Sequence, residues 1–203
     1  MNTPRLQVRQ LTVRFGRSFT MGPLDLEADR GIIHLVGPNG SGKTTALRAI
    51  CGELLPASGQ VLIDGENVHR VPPARKRIAL APSAPELPPF LTVSEAWQFT
   101  CSLRGAPAWD GGKYCDALAL PPLLPLAHAS AGQRRKAELV CALAGDPSVL
   151  LLDETFAHLD GDAVRWLATH LTDSAQERLV LLTHHGEPPV PVAREVELIR
   201  SRP

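Results

Sequence analysis

The sequence predicts an α/β fold in which a mostly parallel sheet is covered by helices on both faces. Three observations predict it. Short apolar runs at Gly31–Val36, Ile78–Ala81, Val149–Leu152 and Leu179–Leu182 have the length and continuity of strands buried on both sides. Helical stretches separate these runs, and strands that alternate with helices join into parallel sheets. The first run leads straight into Gly37-Pro38-Asn39-Gly40-Ser41-Gly42-Lys43-Thr44-Thr45, a loop whose chemistry requires a strand before it and a helix after it.

Taken in order, Leu6, Val8, Leu11, Val13 and Phe15 read as an N-terminal strand, bulged between Val8 and Leu11. In the loop that follows, two glycines bracket four residues and precede Lys43 and Thr44. Successive backbone amides can then turn inward around a phosphate, and a Cβ at the glycine positions would obstruct the wrap. The amides lead into a helix N-terminus, whose partial positive charge favours the same anion. Lys43 is expected to reach β- and γ-phosphates and the Thr44 hydroxyl to ligate Mg²⁺. The helix runs from Lys43 to Cys51, and Gly52 stops it. Val61 to Ile63, ending in Asp64-Gly65, is one arm of a hairpin. Pro82 ends the strand Ile78–Ala81. Thr92-Val93-Ser94-Glu95 is a capping box that opens a helix, with Trp97 and Leu103 at packing positions and Gly105 as its stop. Residues 106–129 are rich in Pro and Ala and read as loops and short helices of an inserted helical subdomain. Ser130 caps a helix to about Ala144, and Asp162 to Ser174 forms another.

The 203 residues suffice for one core, and 21 basic residues against 21 acidic ones leave no global field to recruit nucleic acid. Four cysteines, at 51, 101, 115 and 141, form no metal-ligand spacing and sit among apolar residues. They read as reduced, buried thiols of a cytosolic protein. Nothing resembles a signal peptide, and no apolar run approaches the roughly 20 residues that cross a bilayer. The leucine-rich stretch from Ala117 to Leu126 is broken by Pro121, Pro122 and Pro125. Any membrane crossing is expected to belong to another chain.

The strand Leu150-Leu151-Leu152 ends in Asp153-Glu154. After a phosphate loop, the first carboxylate of such a pair holds Mg²⁺ and the second polarises an attacking water. Taken alone, the pair reads equally as a cap on the loop into the next helix. The phosphate loop upstream favours the nucleotide reading.

Further along, Ala129-Ser130-Ala131-Gly132-Gln133 resembles the Leu-Ser-Gly-Gly-Gln signature of ATP-binding subunits of ABC transporters. Arg134-Arg135-Lys136, a helix, and Asp146-Pro147 before the acidic strand follow in that family's order. The resemblance covers essentially the whole chain. It implies a single P-loop NTPase domain, with an antiparallel β subdomain and a small inserted α-helical subdomain at about 84–129. The catalytic core would be 1–83 and 130–203. It implies ATP and Mg²⁺, with Thr44 and Asp153 on the metal and Glu154 and His184 as catalytic residues; His185 competes with His184 for the switch role. Ser130, Gly132 and Gln133 would face the γ-phosphate held by a second subunit, with Asp160 communicating across that contact. Phe15, 28 residues before Lys43, matches an aromatic that stacks on adenine, or else closes the strand as a core residue.

The implied partners are integral-membrane transporter subunits and a second copy, or a related subunit, joined head to tail. The implied location is the cytoplasmic face of the cell membrane. Small exporter subunits, such as the haem-exporter type, share the short length and the Ser-Ala-Gly-Gln signature. Departures are Ser83 where the family has a loop Gln, Ala129 and Ala131 in the signature, and Thr155 where Pro usually follows the Glu. Ser83 keeps open a weakly hydrolysing, regulatory subunit. A soluble ribosome-acting relative would carry two cassettes, a chromosome-maintenance ATPase a long heptad insertion, and a phosphate-loop kinase would not need Ser130 to Gln133.

Overall fold

A computed structural model describes residues 4–16, 19–106 and 111–198. The chain runs β1 (Leu6–Phe15), β2 (Phe19–Ala28), β3 (Gly31–Val36), α1 (Lys43–Ile50), β4 (Ser58–Ile63) and β5 (Glu66–Asn67). It continues with α2 (Pro72–Arg75), β6 (Ile78–Ala81), α3 (Val93–Arg104) and α4 (Gly112–Ala117). The last elements are α5 (Ala131–Leu143), β7 (Val149–Asp153), α6 (Gly161–Ser174), β8 (Leu179–Thr183) and β9 (Arg194–Glu197).

The main sheet has the order β6-β7-β8-β3-β9, and every pairing in it is parallel. Apart from the edge strand β9, its strands are buried on both faces, so alternate residues enter different cores. Ile32, Leu150, Leu152, Val180 and Leu182 pack with α3, α5 and α6. Ile33, Val149, Leu151, Leu179 and Leu181 pack on the other side, with α1 and the second sheet. That second sheet is antiparallel, in the order β2-β1-β4-β5.

The bulge in β1 is present, with register shifts on both sides of Leu11. The hairpin at Asp64-Gly65 joins β4 to β5. Two strands carry no clear signal in the sequence. In β2 the apolar alternation is broken at Gly22-Pro23, and in β9 the run Arg194-Glu195-Val196-Glu197 is polar because it lies at the sheet edge.

Thr92 caps α3 with both arms of the capping box made. Trp97 is buried as expected, but Leu103 is 62% exposed. Six residues is 600° of helix, which turns Leu103 away from the face that Trp97 buries. Leu118, Leu120 and Leu126, from the inserted segment, share one core with Leu139 and Val140 of α5; residues 107–110 of that segment lie outside the described residues. Cys101, Cys115 and Cys141 are buried free thiols, and Cys51 is half-buried. Burial pushes the Cys51 and Cys141 thiols up to about 12, which suits inert packing groups.

Candidate nucleotide site

The loop between β3 and α1 is shaped by glycines at positions where a side chain has no room. Gly42 has φ +102°, and a Cβ there would fall 2.6 Å from Met21 Cγ. Gly37 has φ +150°, and its Cβ would meet the Leu198 carbonyl oxygen at 2.6 Å. The loop is thus pressed between β2 and the residue after β9. No acidic residue lies in the first turn of α1, so its N-terminal amides stay electropositive. Lys43 Nζ bends back over the loop and donates to the carbonyls of Gly37 at 2.8 Å and Pro38 at 3.3 Å.

At the end of β7, Asp153 is 2% exposed. Its Oδ2 accepts from the Thr44 hydroxyl at 2.8 Å, and its Oδ1 accepts from the Thr183 hydroxyl at 2.7 Å. The Thr183 oxygen in turn accepts from the Glu154 amide at 3.0 Å. One chain of bonds therefore joins α1, β7 and β8 at the carboxyl ends of the strands, where open α/β sheets bind ligands. Among the described residues no cluster of three His, Cys, Asp or Glu is placed to hold a metal ion. One hydroxyl and one carboxylate is the donor set that Mg²⁺ takes when phosphate oxygens and water complete its shell, so Thr44 and Asp153 fit it.

A cavity of about 470 Å³ opens above these groups, lined by the loop together with Phe19, Ser83, Glu154 and His185. Its aromatic wall is Phe19. Phe15 is 47% exposed and lies outside the lining, its ring centroid 6.1 Å from that of Phe19. The two are register partners across the β1–β2 turn, and the return strand is the one that passes beneath Gly42.

The two histidines after β8 diverge. His185 Nε2 lies 3.7 Å from Glu154 Oε1. The His184 ring instead packs edge-on against Phe156, with centroids 5.8 Å apart. Both rings stand near the Glu154 carboxylate, His185 the one within ion-pair distance of it. The His184 carbonyl accepts from His34 Nε2 at 3.4 Å, and His34 Nδ1 faces Glu195 at 3.1 Å. Burial pulls the His184 pKa down, opposed by the Glu154 carboxylate and reinforced by His34 and His185.

The signature corner lies elsewhere. Ser130 Oγ accepts from the Gln133 amide at 3.2 Å, and the Gln133 side chain accepts from the Ser130 amide at 2.9 Å. Ser130 and Ala131 are exposed, and neither they nor Gly132, Gln133 or Asp160 line the cavity. Asp160 caps α6 through the Ala163 amide at 2.9 Å and pairs with Lys136 at 2.6 Å. The hydrogen bond from Lys136 holds its carboxyl below the usual range. Sequence reasoning missed Phe19, concealed behind the Gly22-Pro23 break. It also missed His34, whose only signal is a lone polar residue in an apolar run, and Arg135, which the sequence shows only as part of the basic run after the signature and which is 2% exposed.

The ABC transporter family's sequence profile matches residues 23–157. The chain is 33% identical over 194 residues to the cytochrome c biogenesis ATP-binding export protein CcmA of Pseudomonas syringae pv. syringae, covering 91% of this chain and 90% of that one. It is 33% identical over 210 residues to the sulfate/thiosulfate import ATP-binding protein CysA of Caulobacter vibrioides, spanning 97% of this chain but 62% of that relative's length. A solved ATP-binding subunit of an ABC transporter superposes with a TM-score of 0.82 at 26% identity, covering 89% of this chain and 79% of that one. A dimeric ATP-binding cassette bound to ADP and Pi has the same fold, with a TM-score of 0.81 at 20% identity over 95% of this chain and 94% of that one. The chain belongs to the ABC transporter family, as an ATP-binding subunit.

Proposed function

We propose that this chain is the ATP-hydrolysing motor subunit of a transporter whose membrane-spanning parts are separate chains at whose cytoplasmic face it docks. The observation that carries the reading is the bonded set Thr44–Asp153–Thr183–Glu154 beneath a cavity walled by the phosphate loop. The loop amides and Lys43 bind the phosphates, Lys43 exchanging the Gly37 and Pro38 carbonyls for phosphate oxygens. Thr44 and Asp153 hold Mg²⁺, which when bound supplies positive charge to the β- and γ-oxygens. Glu154, its backbone fixed by Thr183, accepts a proton from the attacking water. His185 stands beside Glu154 in this arrangement, and His184 takes the switch position if the loop after β8 rotates. Phe19 offers its ring to the base, with Phe15 behind it. Ser130, Gly132 and Gln133, presented outward on their own helix end, serve the nucleotide of a second copy or a related subunit, and Asp160 lies at the edge of that contact.

Phe90 is 82% exposed and Leu123 79% exposed, beside a small cavity lined by Pro85, Leu87, Pro89, Leu126 and Arg134. An apolar surface of this kind suits a membrane subunit's cytoplasmic segment. The deciding measurement is phosphate release from MgATP by the wild type and by Glu154→Gln. Loss of the base should slow release by about 10²–10⁴-fold while ATP still binds; normal turnover in Glu154→Gln ends this reading. A weakly hydrolysing subunit is favoured by one observation. Ser83 lines the cavity with a side chain too short to span both Mg²⁺ and a partner. Ser83→Gln should then raise basal hydrolysis.

A further inference from the structure

The helix behind the signature corner carries two buried charges that the hydrolytic chemistry leaves unused. Arg135 is 2% exposed and Glu138 5% exposed, one turn apart on α5. The Arg135 guanidinium donates from Nη2 to the Asp153 carbonyl at 2.6 Å, from Nε to the Thr155 carbonyl at 3.3 Å, and from Nη1 to the Pro82 carbonyl. Two of these carbonyls flank Glu154, and the third immediately precedes Ser83. Glu138 Oε1 accepts from the Leu87 amide at 2.8 Å and from the Glu86 amide. One turn of α5 therefore grips both ends of the segment 82–87 and both sides of Glu154.

Glu154 requires such a grip. Its φ is +50°, the left-handed region that a residue with a Cβ disfavours. Released from its neighbours, the backbone would relax and swing the carboxylate away from Thr44 and Asp153. A guanidinium suits the task because its planar fork aims several N–H groups at separate carbonyls, whereas an ammonium offers one point. Burial pulls the pKa of Arg135 down, while the carboxylates of Glu138, Asp153 and Glu154 pull it up.

We propose that Arg135, with Glu138 one turn on holding the Glu86 and Leu87 amides, is a positioning residue for ATP hydrolysis, fixing Glu154 and Ser83 relative to each other from the helix whose N-terminus is the signature. This rests on Glu154 being the base. It links two events that the motifs alone leave separate: the signature that serves the partner's nucleotide is rigidly joined to the base that serves this chain's own.

The test uses the full chain with Arg135→Lys and Arg135→Met, the first retaining charge if the second fails to fold. A misplaced base should lower kcat by about 10–100-fold while KM and affinity for a fluorescent ATP analogue stay within about threefold. Hydrogen exchange at residues 83–87 and 154–157 should quicken in the same variants without nucleotide. A kcat within about twofold of wild type, or a raised KM at unchanged kcat, overturns the proposal. If the wild type releases no more phosphate than Lys43→Ala, the motor reading fails instead. Exchange then decides alone: faster exchange in Arg135→Lys supports the positioning role, and unchanged exchange overturns it.

Discussion

At the phosphate-loop corner Thr44, Asp153 and Thr183 bond side chain to side chain across three elements; at the signature corner Ser130 and Gln133 bond only to their own helix end. The amide of Glu154, next after Asp153, joins the first set through Thr183. Ser130 and Gln133 close only on each other, with Ser130 facing solvent. The first corner is a finished half-site inside one chain. The second is a preformed helix terminus whose order is already supplied by the cap.

If that contrast is right, damage at the first corner should abolish nucleotide binding by the isolated chain, and damage at the second should not. Lys43→Ala should have the largest effect. It removes a charged donor facing phosphates, and ATP affinity should fall by at least about 100-fold, two steps of about 1.4 kcal/mol, in a calorimetric titration. Affinity within a few-fold of wild type would break the comparison at its stronger end.

Gly42→Ala comes next. The backbone at φ +102° and the approach to Met21 should cost about 1–3 kcal/mol, seen as a lower melting temperature together with weakened ATP binding. Ser130→Ala should cost only about 1 kcal/mol of helix cap and leave ATP affinity of the single subunit unaltered, while slowing hydrolysis in the paired state. An equal loss of affinity in Ser130→Ala and Lys43→Ala would mean that the two corners are one site.

The smallest effect concerns pH. Burial pulls the pKa values of His184 and His170 down. As pH falls, the unfolded chain takes up protons near pH 6.5, about the free histidine value, before the folded chain does. Stability is therefore lost as pH drops through and below that value. Melting temperatures at pH 7.5 and 5.5 should show the fall, and His170→Gln, away from either corner, should flatten it. An unchanged slope would leave the effect with His184 and with His69, whose pKa burial also lowers.

The sequence exposed these corners unequally. Glycines at fixed spacing, a hydroxyl after Lys43 and two carboxylates after an apolar strand are local signals, and the fold brings them to one cavity. The capping boxes at Thr92 and Ser130 are likewise complete within four residues. What escaped was whatever depends on which strand lies beside which. Phe19 replaces Phe15 at the cavity because β2 returns under Gly42, and β2 itself is broken in pattern by Gly22-Pro23. His185 lies 3.7 Å from Glu154 while the His184 ring packs on Phe156, a difference set by the bend after β8 that the residue types do not encode. Arg135 and Lys136 are legible only as residues that follow the signature, and the packing of α5 against β6 and α3 is what accompanies their burial. Leu103 shows the same failing in miniature, an apolar residue on the wrong side of its helix.

The alternation of residues along β7 and β8 divides the interior into two compartments, with Leu150 facing one and Leu151 the other. Between them stands a wall one backbone thick. Side chains on the helical face can slide or repack without touching those under α1, since no side chain of the central strands belongs to both compartments. The wall ends at Asp153 and Thr183, whose side chains bond to each other across the carboxyl ends of its two middle strands.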